Sequence, residues 1–260
     1  MNYIILTAIA VFTVFLSTFI GYLIPMMYRE QKFKKYWTKC PHCDKNKKKK
    51  EIYNVFNFWK YGGYCDKHKP KPIHNILFTV FLTALSMFVF VFEYIMTKSF
   101  FTPNSVCFYV VTIMLVYATY TDFKGLVIPD ACHIVIFAVG LFTMFFEAIS
   151  TNNNAIYLER VIGMFCIALP LFLLCLLGKS GFGDVKMFAT LGLFLGWKKL
   201  LLVLLIAVLS GLVYALYKRI SSKNLKWKSE VPFGPFICLG TYITMLFGNQ
   251  MINAYMQLFK

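Results

Sequence analysis

Apolar stretches long enough to cross a bilayer recur along this chain, and a soluble domain has nowhere to bury so many. They lie near residues 3–27, 75–97, 105–121, 131–149, 157–177, 184–197, 200–217 and 233–250, the sixth being the shortest. A membrane-crossing helix needs about 20 mainly apolar residues. Hydrophobic residues make up 59% of the chain, against roughly 45–50% in ordinary globular proteins. The pattern predicts an all-α, polytopic transmembrane helix bundle of about eight spans.

The formal net charge of +16 would suggest nucleic acid in a soluble protein. Here its distribution carries the information. With the amino terminus outside, segments 28–74, 122–130, 178–186 and 218–231 face the cytoplasm, and they hold 14, 1, 2 and 5 Lys or Arg, 22 of the 27. The other five are Lys98, Arg160, Lys198, Lys199 and Lys260. This is the bias of a positive-inside membrane protein, so the charge reads as topology and no nucleic-acid partner is expected. The first apolar segment has no basic residue ahead of it and no small-residue cleavage site, and Arg29 follows it, as in a retained anchor. An even number of spans leaves both termini outside, with the protein in the cytoplasmic (inner) membrane.

This topology divides the chain into a first anchor (1–27), a cytoplasmic insert (28–74) and a transmembrane core (75–260). About 47 residues bury little core, and units of that size usually need a metal or disulfide staple. The insert has Cys40-x-x-Cys43 and, after 21 intervening residues, Cys65-x-x-His68. In a reducing compartment such thiols point to metal rather than to a disulfide. Cys3His is an ordinary tetrahedral zinc set, and four protein ligands close the coordination sphere, so the expected zinc is structural. Free thiols of a degraded site are the alternative. The lysines around it suit anionic lipid headgroups of the bilayer, or simply keep the insert solvated.

A charge at the edge of hydrocarbon is costly and marks a functional site by default. Of eleven acids, Glu30, Asp44, Glu51 and Asp66 fall in the insert, Glu230 in a basic loop, and Glu93, Glu147 and Glu159 near the external ends of spans. Asp122, Asp130 and Asp184 remain, all near the cytoplasmic face. Asp122 and Asp184 each abut an apolar helix, while Asp130 follows Pro129 in a helix first turn, a common place for an acid. Two carboxyls sharing a site cannot both ionise easily and hold one proton between them. One member then deprotonates water while the other polarises a carbonyl, which is peptide hydrolysis without a covalent intermediate. Only His42, His68, His74 and His133 exist, and the first two are better explained as parts of the insert, so Ser-His-Asp chemistry is poorly supported.

The surroundings of these acids are informative too. Gly181 and Gly183 allow close backbone approach, so an extended substrate fits against the loop before Asp184; a capped turn is the bland alternative. Pro232, Gly234 and Pro235 interrupt the start of the last span, and such a break needs burial in protein or a wet cavity. A proton-coupled transporter also uses intramembrane acids and broken helices, and it predicts internal repeats. A structural membrane subunit predicts acids that merely pair with Lys124 or Lys186.

The chain resembles the type IV prepilin peptidases, polytopic membrane aspartyl proteases. Asp122 followed by Pro129-Asp130 looks like the family's first catalytic block. Gly181-Phe182-Gly183-Asp184-Val185-Lys186, then Leu191-Gly192 and Gly196-Trp197, looks like the second. Pro232-Phe233-Gly234-Pro235-Phe236 with Gly240 resembles the carboxy-terminal block, and Cys40-Pro41-His42-Cys43 the first half of the cysteine-bearing domain, with His68 standing where a fourth cysteine is usual. The resemblance implies removal of the leader of prepilins or pseudopilins at the cytoplasmic face, with Asp122 and Asp184 catalytic. It implies site-shaping roles for Gly181, Gly183, Lys186, Pro129, Asp130, Pro232 and Gly234. Many bacterial members also methylate the new amino terminus with S-adenosylmethionine; residues 21–30 keep only part of the stretch associated with that activity.

Overall fold

The computed structural model describes residues 11–15, 40, 43, 45–46, 65, 67–68, 72–98, 102–178, 181–221 and 232–258. Most of the expected first span and most of the insert lie outside them. Among the described residues the chain is helical, with no β-strand. Helix α1 is Pro72–Thr97, α2 Pro103–Gly125, α3 Asp130–Thr151, α4 Ala155–Cys166, α5 Ala168–Leu176, α6 Phe182–Leu195, α7 Trp197–Ser221 and α8 Gly234–Leu258. The chain forms two compact units, Met1–Phe101 and Thr102–Lys260. Helix α1 falls in the first unit.

Local chemistry sets the ends that matter for the site. Helix α2 starts with Thr102 as N-cap, its hydroxyl accepting from the Ser105 amide at 3.0 Å, and with Pro103 in the first turn, where no intrahelical N–H is needed. It stops at Leu126, whose left-handed backbone (φ 52°) lets its N–H bond to the Asp122 carbonyl. Residues 127–129 have no regular structure, and Pro129, with an extended backbone, feeds α3 with Asp130 in its first turn. Helices α4 and α5 are one apolar stretch broken at Ile167. Pro170 has no N–H to give the Cys166 carbonyl, which accounts for the break.

Five stretches are long and apolar enough to cross a membrane: Val80–Thr97, Pro103–Phe123, Asp130–Thr151, Ala155–Leu176 and Trp197–Ile220. They coincide with five of the eight expected spans. The stretch expected at 184–197 is the 14-residue α6, and the one at 233–250 is the longer but more polar α8. Both are central helices. Nine residues of α6 are buried, Met187, Phe188 and Leu191 completely, and it packs on α3, α4, α5, α7 and α8. Helix α8 packs along α7 and α2 and buries eleven residues, Thr241 and Thr244 among them. A helix wrapped in protein does not need to be apolar all round. The outer helices invert this pattern: only 17% of the Trp197–Ile220 stretch is buried, and Leu205, Leu209 and Val213 face outward. So many exposed aliphatic side chains suit lipid, not water.

Helices α4 and α6 meet at Gly163 and Gly192, where a Cβ on either would collide with the other's backbone. Small residues at such crossings let membrane helices touch backbone to backbone. Gly192→Leu should therefore lower the thermal unfolding midpoint in detergent, at a cost of about 1–3 kcal/mol. Leu209→Val, on the outward face of α7, should leave it near wild type.

Candidate active site

A cavity of about 990 Å³ opens at the end of the second unit where α2 stops and α3, α6 and α8 begin. Asp122, Asp130, Asp184 and Lys186 line it, with Leu126, Val127 and Ile128 on one wall, Leu171 and Leu174 on another, and Pro232 and Phe233 beside them. Gly181, Phe182 and Gly183 complete the rim. The site residues expected from the sequence in the core therefore converge on one hollow, apart from Pro129 and Gly234, which adjoin it in the chain.

Asp122 sits in the last turn of α2 and is 6% exposed. Its Oδ2 accepts a hydrogen bond from the Gly234 amide at 2.8 Å, so the first residue of α8 donates to a carboxylate 112 positions earlier. A helix amino terminus offers unpaired N–H groups and partial positive charge, and an acid placed there satisfies both. The contact leaves no room for a side chain at Gly234, because a Cβ would come 2.7 Å from Oδ2. Asp184 occupies the first turn of α6, with Gly181 as N-cap. A Cβ at Gly181 would lie 3.6 Å from its Oδ2, so the glycine keeps that side of the carboxyl open. The two acids are close enough for the charge of Asp122 to act on Asp184. Mutual repulsion at such range favours one shared proton over two ionised groups.

Lys186 does not pair with either of these acids. Its Nζ donates to Asp130 Oδ1 at 2.7 Å and lies 5.0 Å from the centre of the Phe182 ring. The bond joins the first turn of α3 to the first turn of α6, and both side chains are substantially exposed. This bears on the structural-subunit reading, in which Lys186 would neutralise a site acid. The Lys124 side chain lies outside the described residues.

In the first unit, Cys40, Cys43, Cys65 and His68 bring one ligand atom each to within 4.8 Å of one another. The Cys43 and Cys65 sulfurs are 3.8 Å apart, and Cys65 Sγ lies 3.3 Å from His68 Nδ1. Thiolates about 2.3 Å from a tetrahedral zinc stand about 3.8 Å apart, so the donor set and its spacing fit a metal.

Two features of the site escaped the sequence reading. The Gly234 amide as a carboxylate partner was hidden because a backbone donor leaves no residue signature; the Pro232 to Pro235 break was its indirect sign. Cys238, one turn further along α8, is 5% exposed and feels the charge of both Asp122 and Asp184.

Residues 109–216 match the type IV leader peptidase family. A prepilin leader peptidase/N-methyltransferase of Legionella pneumophila is 41% identical over 76 residues, covering 29% of this chain and 26% of that protein. The protein of that name from Pseudomonas aeruginosa is 24% identical over 221 residues, 84% of this chain and 74% of the relative. One from Aeromonas salmonicida is 30% identical over 152 residues, 56% and 50% respectively. The aligned stretches thus span between a quarter and three quarters of these relatives. No solved structure matches the chain. The family match runs from within α2 to within α7 and includes both cavity acids, so this part of the chain is similar to the type IV leader peptidases.

Proposed function

We propose that the chain is a membrane aspartyl endopeptidase that removes the leader of type IV prepilins or pseudopilins, with Asp122 and Asp184 as its catalytic pair. The observation that carries the reading is the meeting of two acids from helices distant in the chain in one hollow, where the charge of Asp122 acts on Asp184. In the resting state they hold one proton. The ionised carboxylate takes a proton from water as its oxygen attacks the scissile carbonyl, and the protonated one donates to the carbonyl oxygen. Collapse of the tetrahedral intermediate returns a proton to the departing amine, and the pair ends as it began. Gly234 holds Asp122 in place through its amide. Gly181 and Gly183 leave room for an extended substrate, Pro129 and Pro232 shape the entrances, and the Asp130–Lys186 bridge ties α3 to α6 beneath it.

The wider reading is that of a protein with eight spans and an outside amino terminus in the cytoplasmic membrane, divided into an anchor (1–27), an insert (28–74) and a protease core (75–260). Its catalytic hollow faces the cytoplasm, where positive-inside charge supports that orientation. The partners are prepilin-type substrates and the bilayer, and no nucleic acid. Zinc in the Cys40, Cys43, Cys65 and His68 cluster would supply folding free energy to the insert. The relatives' names pair the peptidase with an N-methyltransferase. A methyl transfer here would use S-adenosylmethionine as donor and the freed amino group as acceptor.

The direct test mixes purified protein in detergent with prepilins bearing a short basic leader and a hydrophobic helix, and follows leader loss by mass. Cleavage at one site is expected, and adding S-adenosylmethionine reads methylation as the mass of one methyl group. No cleavage of any of several prepilins by the wild type would sink the assignment. Gly234→Ala should keep the fold and lose cleavage about 10²-fold, since small misplacements of a catalytic group cost about that much; wild-type rates would show that the Asp122 contact is dispensable. Elemental analysis should find about one zinc per chain, and Cys40→Ser should lose it because three ligands hold the metal poorly. A full zinc complement in that variant would contradict the ligand set.

A further inference from the structure

A second, smaller cavity of about 230 Å³ lies at the far end of the same unit, and its lining is charged. Glu147 comes from the end of α3, Glu159 and Arg160 from α4, Lys198 and Lys199 from the first turn of α7, and Asn253 from the last turns of α8. None of these residues takes part in the catalytic hollow. From Asp130 to Glu147 helix α3 rises about 25 Å, and from Gly234 to Asn249 helix α8 rises about 22 Å, at 1.5 Å per residue. These rises approach the thickness of a bilayer's hydrocarbon core, about 30 Å. The two cavities therefore lie at opposite ends of these helices, and a bilayer crossed by the spans Asp130–Thr151, Ala155–Leu176 and Trp197–Ile220 would put the smaller one near the headgroups of the opposite leaflet.

The charges inside are arranged. Arg160 is largely buried, and its guanidinium bonds both the Glu147 carboxylate and the Phe194 carbonyl at the end of α6. That ion pair is internally neutral, and the fork of guanidinium donors has capacity beyond two bonds. Glu159 packs against Gly196 at the α6–α7 junction, where a Cβ would be 3.5 Å from its Cγ. Lys198 lies 5.7 Å from the Trp197 ring centre, and the Lys199 stem runs beside Gly248. Three cations against two carboxylates leave one net positive charge, and the start of the 25-residue α7 adds the partial positive charge of a helix amino terminus. Asn249 and Asn253 supply neutral amide donors and acceptors. One net positive charge with several directed donors, at headgroup depth, matches a phosphodiester, which carries one negative charge and four oxygens.

We propose that this cavity binds a phosphate group, presented by a phospholipid headgroup of the leaflet opposite the catalytic hollow. Lys198, Lys199 and Arg160 hold the oxyanion, while Glu159 and the two asparagines meet the polar substituent beyond it. The bound lipid would clamp the junction of α4, α6 and α7, the Gly196 bend included.

The test follows thermal unfolding of the full-length protein in phosphate-free nonionic detergent during titration with dioctanoyl phosphatidylglycerol, dioctanoylglycerol or inorganic phosphate. Phosphatidylglycerol should raise the midpoint saturably and dioctanoylglycerol should not. Equal protection by inorganic phosphate would assign the site to the free anion, whereas protection by the lipid alone assigns it to the headgroup. Lys198→Gln combined with Lys199→Gln should weaken half-saturation about ten-fold, as expected for loss of charge-assisted contacts. Asn253→Asp, on a different helix, should weaken it in the same direction by adding negative charge. Protection by dioctanoylglycerol as strong as by phosphatidylglycerol, or unchanged titrations in both variants, would overturn the proposal.

Discussion

The hydrogen bond from the Gly234 amide to the Asp122 carboxylate ties the end of α2 to the beginning of α8, and much of the core depends on that junction. A buried carboxylate without a partner is expensive, and so is a helix amino terminus without an acceptor. One contact meets both demands. Its short reach holds the two backbones close, which is why position 234 has no room for a Cβ. With α8 anchored there, its buried face packs along α7 and α2, and α6 packs on α3 and, through the Gly163–Gly192 crossing, on α4. The second acid then arrives at the same hollow from the first turn of α6.

The arrangement divides labour between lipid and protein. Outer helices expose aliphatic side chains and need little internal burial, as α7 does. Inner helices carry glycine, threonine and the acids; Thr241 gives its hydroxyl to the Ile237 carbonyl, and Asp122 accepts from the Gly234 amide. A short central helix is the consequence: α6 has 14 residues and starts inside the hollow. Beginning a helix at the hollow puts its positive end, and the carboxyl it carries, against the cavity.

Much of this was legible in the sequence, for identifiable reasons. Acids at the edges of apolar runs are conspicuous because hydrocarbon tolerates few of them, so Asp122, Asp130 and Asp184 stood out before any coordinates. Spans facing lipid were also legible, since they are apolar all round. Inner helices were harder, as residues 184–197 and 233–250 are only partly apolar, and their surroundings are set by neighbours distant in the chain. The Asp130–Lys186 bond was not legible, because 56 residues separate partners that either could have found elsewhere. The Cys/His cluster was readable from two short spacings, as tetrahedral coordination leaves few ways to space four ligands.

The central claim is that Asp122 and Asp184 form one catalytic unit. Cleavage rates of Asp122→Asn, Asp184→Asn and the double variant, each with its folding checked by thermal unfolding, address it most directly. The account predicts that each single variant loses cleavage nearly as fully as the double, because groups that act as a unit are non-additive. Comparable cleavage by either folded single variant and the wild type would contradict it.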